Sequence, residues 1–179
     1  GQDLWGYKIS RGTVLYLALE DDESRLQRRM FRMFGVEGTS PLHFATSAKM
    51  IGGGLDEQLE KFVREHSDTK LVIVDTLQKV REAVSDSYSY SSDYEVIGKL
   101  KQFADRYGVC VLIVHHTRKQ PAGDSFEMIS GTTGLLGCAD GALLMQKEKR
   151  TDSKATLEVV GRDQPDQRLY LSKDQESLV

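Results

Sequence analysis

Proline, cysteine and long apolar runs are all scarce in this sequence of 179 residues, which contains 3 Pro and 2 Cys. No apolar run approaches the roughly 18 residues that a membrane-spanning helix needs, and no secretory signal peptide is visible. A chain with 39% hydrophobic and 28% charged residues is not disordered, collagenous or a coiled coil. We therefore expect one soluble globular domain over residues 1–179, with no membrane partner.

An excess of basic charge is missing too, since 24 Lys and Arg face 27 Asp and Glu for a net charge of −3. Any contact with a polyanion must therefore be local. The two cysteines, Cys110 and Cys138, lie in apolar or small-residue stretches without the spacing of metal ligands. We interpret them as buried reduced thiols, which predicts a cytoplasmic location.

Short apolar runs alternate with helical patterns up to residue 114. Buried strands are predicted at residues 14–19, 42–45, 71–74 and 109–114. Helices are predicted after the acidic stretch 20–23 with Gly35 as its stop, from Leu55 to His66, and from a capping box at Ser92 and Glu95 to Gly108. The Ser- and Tyr-rich residues 85–92 predict an exposed loop.

Strands that are apolar throughout are typical of a parallel sheet covered by helices on both faces, so the sequence predicts an α/β fold. After Gly141 the pattern changes to apolar segments at residues 142–145, 155–160 and 169–171, separated by charged turns. These segments predict an antiparallel region at one edge of the sheet. No internal repeat and no linker divides the chain.

Three predicted strands end in polar side chains: Glu20, Asp75, and the pair His115 and His116. In an open α/β sheet, ligands bind at the carboxyl ends of strands, so these residues are expected to converge on one crevice. For each residue alone, a strand that simply ends at the surface is the better explanation, and it is the three together that favour a crevice. Strand alternation would turn His116 away, which predicts a structural role for it, and adjacent histidines without a third ligand argue against zinc.

Five segments together resemble, in the same order, the motifs of RecA-superfamily ATPases, and in particular the AAA-family ATPases related to the plasmid replicative helicase RepA. They are LYLALED with RLQRR (residues 15–21 and 25–29), VIVDTL (72–77), VLIVHHTRK (111–119), ISGTTGL (129–135) and VGRD (160–163). The resemblance extends from about residue 4 to about residue 172. It implies a RecA-like P-loop NTPase fold with ATP and Mg²⁺ as cofactors.

The resemblance also implies roles for individual residues. Asp75 matches the Walker B aspartate, which holds Mg²⁺ through its water shell, and Thr76 beside it would contact the nucleotide. Glu20 matches the catalytic glutamate, whose carboxylate accepts a proton while staying ionised at neutral pH. His115 matches the residue that senses the γ-phosphate.

Arg162 matches the arginine finger that reaches a neighbouring subunit's nucleotide in a hexameric ring, and Arg168 is a weaker candidate of the same kind. A solvated turn arginine beside Asp163 and Asp166 is an equally good interpretation of Arg162.

The loops that touch DNA in such a ring would here contain aromatic and basic residues: Arg81, Tyr88 and Tyr90 in the first loop, and Arg118 and Lys119 in the second. The first of these loops also carries acidic residues, which disfavours a polyanion.

The P-loop motif G-x-x-x-x-G-K-S/T is absent from these residues, because the Gly98-Lys99 pair is followed by Leu100 inside a predicted helix. We therefore expect a fragment of a longer ATPase that begins after the P-loop helix. Such a fragment would bind ATP weakly and hydrolyse none on its own. The P-loop strand of the family lies between the strands at residues 109–114 and 142–145, so its loss predicts a gap there, a new pairing, or self-association.

Two other functions are open to such a chain. A RecA-like scaffold without hydrolysis would serve as an oligomerisation or DNA-loading module. A metabolic hydrolase or dehydrogenase is disfavoured, since neither G-x-S-x-G nor G-x-G-x-x-G occurs in the sequence.

Overall fold

The computed structural model describes residues 3–35, 41–81, 90–117, 126, 129, 133–149 and 151–174, with backbone alone for residues 90–92 and 133–134. Its first sheet is parallel, with the strand order β2-β1-β3-β4. The strands are β1 (Thr13–Ala18), β2 (Leu42–Ala45), β3 (Thr69–Asp75) and β4 (Cys110–Val114). The helices between them are α1 (Glu23–Phe34), α2 (Leu55–Glu65), α3 (Leu77–Val80) and α4 (Tyr90–Tyr107).

Local chemistry explains where α1 begins and ends. The side chain of Asp22 accepts a hydrogen bond from the backbone N–H of Arg25 at 2.8 Å, which caps the first turn. Gly35 adopts φ 70°, and its N–H donates to the carbonyl of Phe31 at 2.8 Å. Glycine adopts the left-handed conformation at little energetic cost. The predicted end of the helix at Gly35 is therefore confirmed.

The start of α4 differs from the prediction. The helix begins at Tyr90, so Ser92 lies inside it and does not cap it, and residues 90–92 are not part of a loop. The rest of the predicted loop lies outside the described residues. None of the described helices is long and apolar enough to cross a bilayer.

The pairing of β1 with β3 determines which side chains enter the core. Leu15 pairs with Val72 and Leu17 pairs with Val74, and all four side chains are buried. They pack in one cluster with α2 and α4, whose buried members include Leu55, Leu59, Leu100 and Phe103. Right-handed crossovers in this strand order put α1 on the opposite face, which it shares with Tyr16 and Asp75.

The chain after α4 and β4 forms a second, antiparallel sheet with the order β5-β6-β7. Its strands are β5 (Gly141–Gln146), β6 (Lys154–Gly161) and β7 (Gln164–Ser172), and α5 (Thr133–Cys138) precedes them. The predicted antiparallel strands are confirmed, as a sheet of their own. Within the described residues β4 pairs with β3 alone and β5 with β6 alone, so β4 and β5 do not pair directly with each other there.

The open edge of β4 corrects two predictions. This strand is not buried, since Cys110 is exposed and Leu112 retains 36% of its accessible surface. An edge strand with one neighbour has less cover than the central strands β1 and β3. Cys138, in contrast, is buried as predicted, and its Sγ donates to the carbonyl of Tyr94 at 3.5 Å.

The position of Arg81 also differs from the prediction that it lies in a DNA-contacting loop. It ends α3 in the interior, where its guanidinium forms an ion pair with the fully buried carboxylate of Asp93 in the first turn of α4. A guanidinium held in a dry ion pair is not presented to a nucleic acid. The expectation that Arg81 contacts DNA is therefore wrong in this structure, and the residue joins α3 to α4 instead.

We expect Leu59→Ala to lower the free energy of unfolding by about 3 kcal/mol, because the side chain is 1% exposed and its loss leaves a cavity under the sheet. Leu4→Ala is the matched control at a 49% exposed position and should change it by less than about 0.5 kcal/mol. Chemical denaturation followed by circular dichroism measures both. Equal effects of the two substitutions would contradict the assigned core.

Asp93→Asn should destabilise the protein by about 3 kcal/mol, because it removes the charge of a fully buried carboxylate that pairs with Arg81. Glu65→Gln removes an exposed pair with Lys61 and should cost at most about 0.5 kcal/mol. The same denaturation experiment compares them. A mild effect of Asp93→Asn would contradict a stabilising role for this buried ion pair.

Candidate functional site

Two acidic residues meet at the carboxyl ends of β1 and β3. Ala18 is the register partner of Asp75, and the N–H of Leu19 donates to the carbonyl of Asp75 at 2.7 Å. Glu20 follows directly, and its Oε1 accepts a hydrogen bond from Oγ1 of Thr76 at 3.1 Å. The peptide bond between Asp75 and Thr76 is cis. The structure therefore brings Glu20, Asp75 and Thr76 to one rim of the sheet.

The carboxylate of Asp75 is held by a tyrosine that sequence reasoning missed. Oη of Tyr16 donates to Oδ2 of Asp75 at 2.7 Å, and the tyrosine ring packs against Phe44 at a centroid distance of 5.5 Å. Burial, followed by the hydrogen bond and the negative charge of Asp75, raises the pKa of Tyr16 to about 12. Strand alternation could have found this residue, because Tyr16 and Ala18 share the face of Asp75.

The structure places His116, and not His115, beside Glu20. Nε2 of His116 lies 4.0 Å from Oε1 of Glu20, whereas His115 is half-buried. The alternation argument fails because β4 ends at Val114, so neither histidine is held in the strand conformation. His116, predicted to be structural, is the histidine that the structure brings to Glu20.

The turn after Glu20 is clamped to α1 by a second group that the sequence reasoning missed. Asp21 accepts from Arg25 at 3.0 Å and from Arg29 at 2.9 Å, and its side chain is 12% exposed. The spacing of four and eight residues puts both arginines on the same side of α1, which is the available sequence signature. This clamp connects the first two turns of α1 to the residue beside Glu20.

Arg162, the predicted arginine finger, is engaged within its own chain. Its Nη2 donates to the carbonyl of Gly137 at 2.8 Å, and its Nη1 lies 3.8 Å from Asp140. Lys101 bonds the same carboxylate at 2.8 and 2.9 Å, which lowers the pKa of Asp140 and raises that of Lys101. The structure thus gives Arg162 partners other than the Asp163 and Asp166 of the alternative interpretation.

A cleft of about 380 Å³ opens beside Arg162, lined among others by Asp140, Gly141 and Val160. It shares no lining residue with the rim at Glu20 and Asp75, so it is a separate feature of the antiparallel sheet. The weaker candidate Arg168 forms an ion pair with Glu158 across β6 and β7.

The predicted DNA loops are only partly described. Arg81 is buried, Tyr90 begins α4, and Tyr88, Arg118 and Lys119 lie outside the described residues.

The donor set at the rim suits Mg²⁺ better than a metal caged by protein. Within the described residues no group of three or more His, Cys, Asp or Glu could hold a metal ion. Mg²⁺ usually keeps several waters and takes one or two carboxylates together with substrate phosphates. Oδ1 of Asp75, which has no hydrogen-bond partner in the described part of the chain, fits that pattern.

Comparisons with solved structures agree with this architecture. One structure of an ATPase domain superposes with a TM-score of 0.75 at 14% identity, covering 93% of this chain and 72% of that one. A DnaB-like replicative helicase, described together with its interactions with primase, superposes with a TM-score of 0.77 at 13% identity. The match covers 93% of this chain and 50% of that one. The RadB recombinase gives 0.65 at 16% identity, covering 93% of this chain and 77% of that one.

A comparison with curated proteins finds no match. The likenesses to solved structures show that the fold is RecA-like, with a parallel sheet flanked by helices and a separate antiparallel sheet. The profile of the AAA domain family AAA_25 matches residues 1–122, which is more than half of the sequence. The chain therefore belongs to the AAA domain family AAA_25.

Proposed function

We propose that this chain carries the reaction centre of a RecA-type ATPase that binds ATP with Mg²⁺ and couples hydrolysis to work on DNA. The observation that carries the proposal is the rim where Thr76 bridges Glu20 and the end of β3. One carboxylate for a hydrated cation and a second for an attacking water are the two acidic groups that ATP hydrolysis requires.

Each residue of the rim has a separate task in this proposal. Asp75 offers Oδ1 to the water shell of Mg²⁺, which when bound neutralises charge on the phosphates. Glu20 orients the attacking water and accepts its proton, and Thr76 fixes the rotamer of Glu20 by its hydrogen bond. His116, whose Nε2 lies 4.0 Å from Oε1 of Glu20, is better placed than His115 to contact the γ-phosphate.

The phosphate cradle is the component that these residues lack, and we propose that polypeptide outside them supplies a P-loop and its strand. The edges of β4 and β5 that are unpaired within the described residues support this idea. So do the exposed apolar side chains on those two strands, Leu112 at 36%, Leu143 at 53% and Met145 at 58%. A strand between β4 and β5 would satisfy both edges and cover these side chains.

DNA as a partner and a hexameric ring belong to the same proposal. Two of the similar structures are a replicative helicase and a recombinase by their own descriptions. Arg162 would have to leave Gly137 and Asp140 before it could reach a neighbouring subunit. The absence of a P-loop motif within the sequence favours a second candidate, a scaffold that assembles or loads on DNA without hydrolysis.

Glu20→Gln, introduced into the full-length protein, should keep ATP affinity within about 3-fold and reduce turnover at least about 100-fold, because the amide cannot accept the proton of the attacking water. Phosphate release and a fluorescent-nucleotide titration measure the two effects. Glu23→Gln, in the exposed first turn of α1, is the control and should turn over normally. Undiminished turnover in Glu20→Gln would remove Glu20 from this role, and ATP-independent assembly of a wild type without turnover would favour the scaffold.

The chain of 179 residues should self-associate, because the two strand edges left open in the described part of the chain carry exposed apolar side chains. Light scattering over a wide concentration range should show a rising mass, and Leu143→Lys should shift the association to higher concentration. A constant monomer mass across that range would contradict this expectation.

A further inference from the structure

The contact between Tyr16 and Asp75 is specified by the strand register. Tyr16 pairs with Ile73 and Ala18 pairs with Asp75, so the side chains of all four residues point to the same face of the sheet. Ala18, which lies between Tyr16 and Asp75 along this face, is small and 1% exposed. The tyrosine ring is steadied by Phe44 on β2, and its hydroxyl ends 2.7 Å from Oδ2 of Asp75.

The Tyr16 hydroxyl donates this hydrogen bond, and the Oδ2 oxygen of Asp75 accepts it. Oδ2 of Asp75 is thereby occupied as an acceptor, while Oδ1 has no partner in the described part of the chain. A carboxylate whose two oxygens are made unequal in this way presents one defined oxygen to a cation.

We propose that Tyr16 is a positioning residue for the divalent cation, which it serves by holding Oδ2 of Asp75 and leaving Oδ1 to face the metal. The inference rests on the proposed Mg²⁺-dependent function and adds to it a group on β1. Tyr16 itself does not touch the metal or the nucleotide.

Charged residues on and beside α1 connect the contact between Tyr16 and Asp75 to this helix. The charges of Arg29 and Asp21 both act on the Tyr16 hydroxyl. The same two residues form the ion pair that clamps the turn after Glu20. Tyr16, which holds Asp75, and the ion pair that holds the turn after Glu20 therefore lie in one charged cluster on a single face of the sheet.

Removing only the hydroxyl separates positioning from packing, because Tyr16→Phe keeps the ring against Phe44. The matched control is Tyr7→Phe, which removes a hydroxyl bonded to the uncharged side chain of Gln167 on the antiparallel sheet. Thermal unfolding of both variants checks that the fold is retained. Asp75→Asn serves as the variant without a charged acceptor.

The first measurement tests the contact without any metal. In protein labelled with carbon isotope at the tyrosine Cζ, the resonance missing from Tyr16→Phe identifies Tyr16. That resonance should shift in Asp75→Asn and stay unchanged in Tyr7→Phe. An unmoved Tyr16 resonance in Asp75→Asn would overturn the proposal.

The second measurement follows metal binding by electron paramagnetic resonance of free Mn²⁺, with ADP present and the full-length protein. Loss of a group that orients a metal ligand typically weakens binding on the order of 10-fold, which is the loss expected in Tyr16→Phe. Tyr7→Phe should bind as the wild type does, and Asp75→Asn should lose the site. With Mg²⁺ and ATP, the Mg²⁺ concentration for half-maximal turnover should rise by the same factor, while kcat at saturating Mg²⁺ stays within about 3-fold.

The outcomes separate this inference from the proposed function. Equal Mn²⁺ affinity in Tyr16→Phe and the wild type overturns the positioning role and leaves the ATPase proposal standing. Weakened Mn²⁺ binding in Tyr16→Phe with no ATP turnover in the wild type supports the positioning role and overturns the ATPase. A wild type that binds no Mn²⁺ overturns both.

Discussion

The parallel pairing of β1 with β3 is the constraint on which the candidate site depends. Its register is anchored at the start of β1, where Thr13 donates through both its N–H and its hydroxyl to Asp68. A Cβ on the preceding Gly12 would lie 2.6 Å from the backbone oxygen of Asp68, so only glycine permits this approach. A slip of one residue would turn Leu15 and Leu17 out of the core and Tyr16 into it. The hydrophobic effect that buries one face of the sheet therefore also fixes the acidic rim on the other.

The two faces of this sheet differ in function: one packs into the core and the other carries residues of the candidate site. The face under α2 and α4 holds the continuous apolar cluster and gives the domain its stability. The opposite face carries Tyr16 and Asp75, with α1 above it and the arginine clamp on Asp21 at its upper end. The polar residues that position the rim are therefore attached to a sheet that is already rigid through its packed face. Precise positioning of reacting groups requires such a rigid base.

Sequence patterns predict the helices and strands well and the surroundings of single basic and imidazole side chains poorly. Strands and helices were found because burial on one face imposes a period on the chain, and Gly35 marked a helix end because its backbone angle demands it. The sequence predicts a DNA contact for Arg81 because nothing in its neighbours along the chain reveals that Asp93, its partner, lies in the interior. Strand alternation predicts that His116 points away from Glu20. That rule stops applying at Val114, where the strand ends, and the structure places His116 beside Glu20.

The residues by themselves determined the α/β class, the order of strands and helices, and the acidic side chains that would end the strands, since each follows from local periodicity or from a residue's own chemistry. Tertiary structure alone decided that Tyr16 holds Asp75, that Thr76 holds Glu20, and that Arg162 is bound to Gly137 and Asp140. The first two pairs are separated by 59 and 56 positions along the chain, and Arg162 is separated from Gly137 by 25. Contacts over such distances depend on register, side-chain reach and burial, which exist only once the strands have paired.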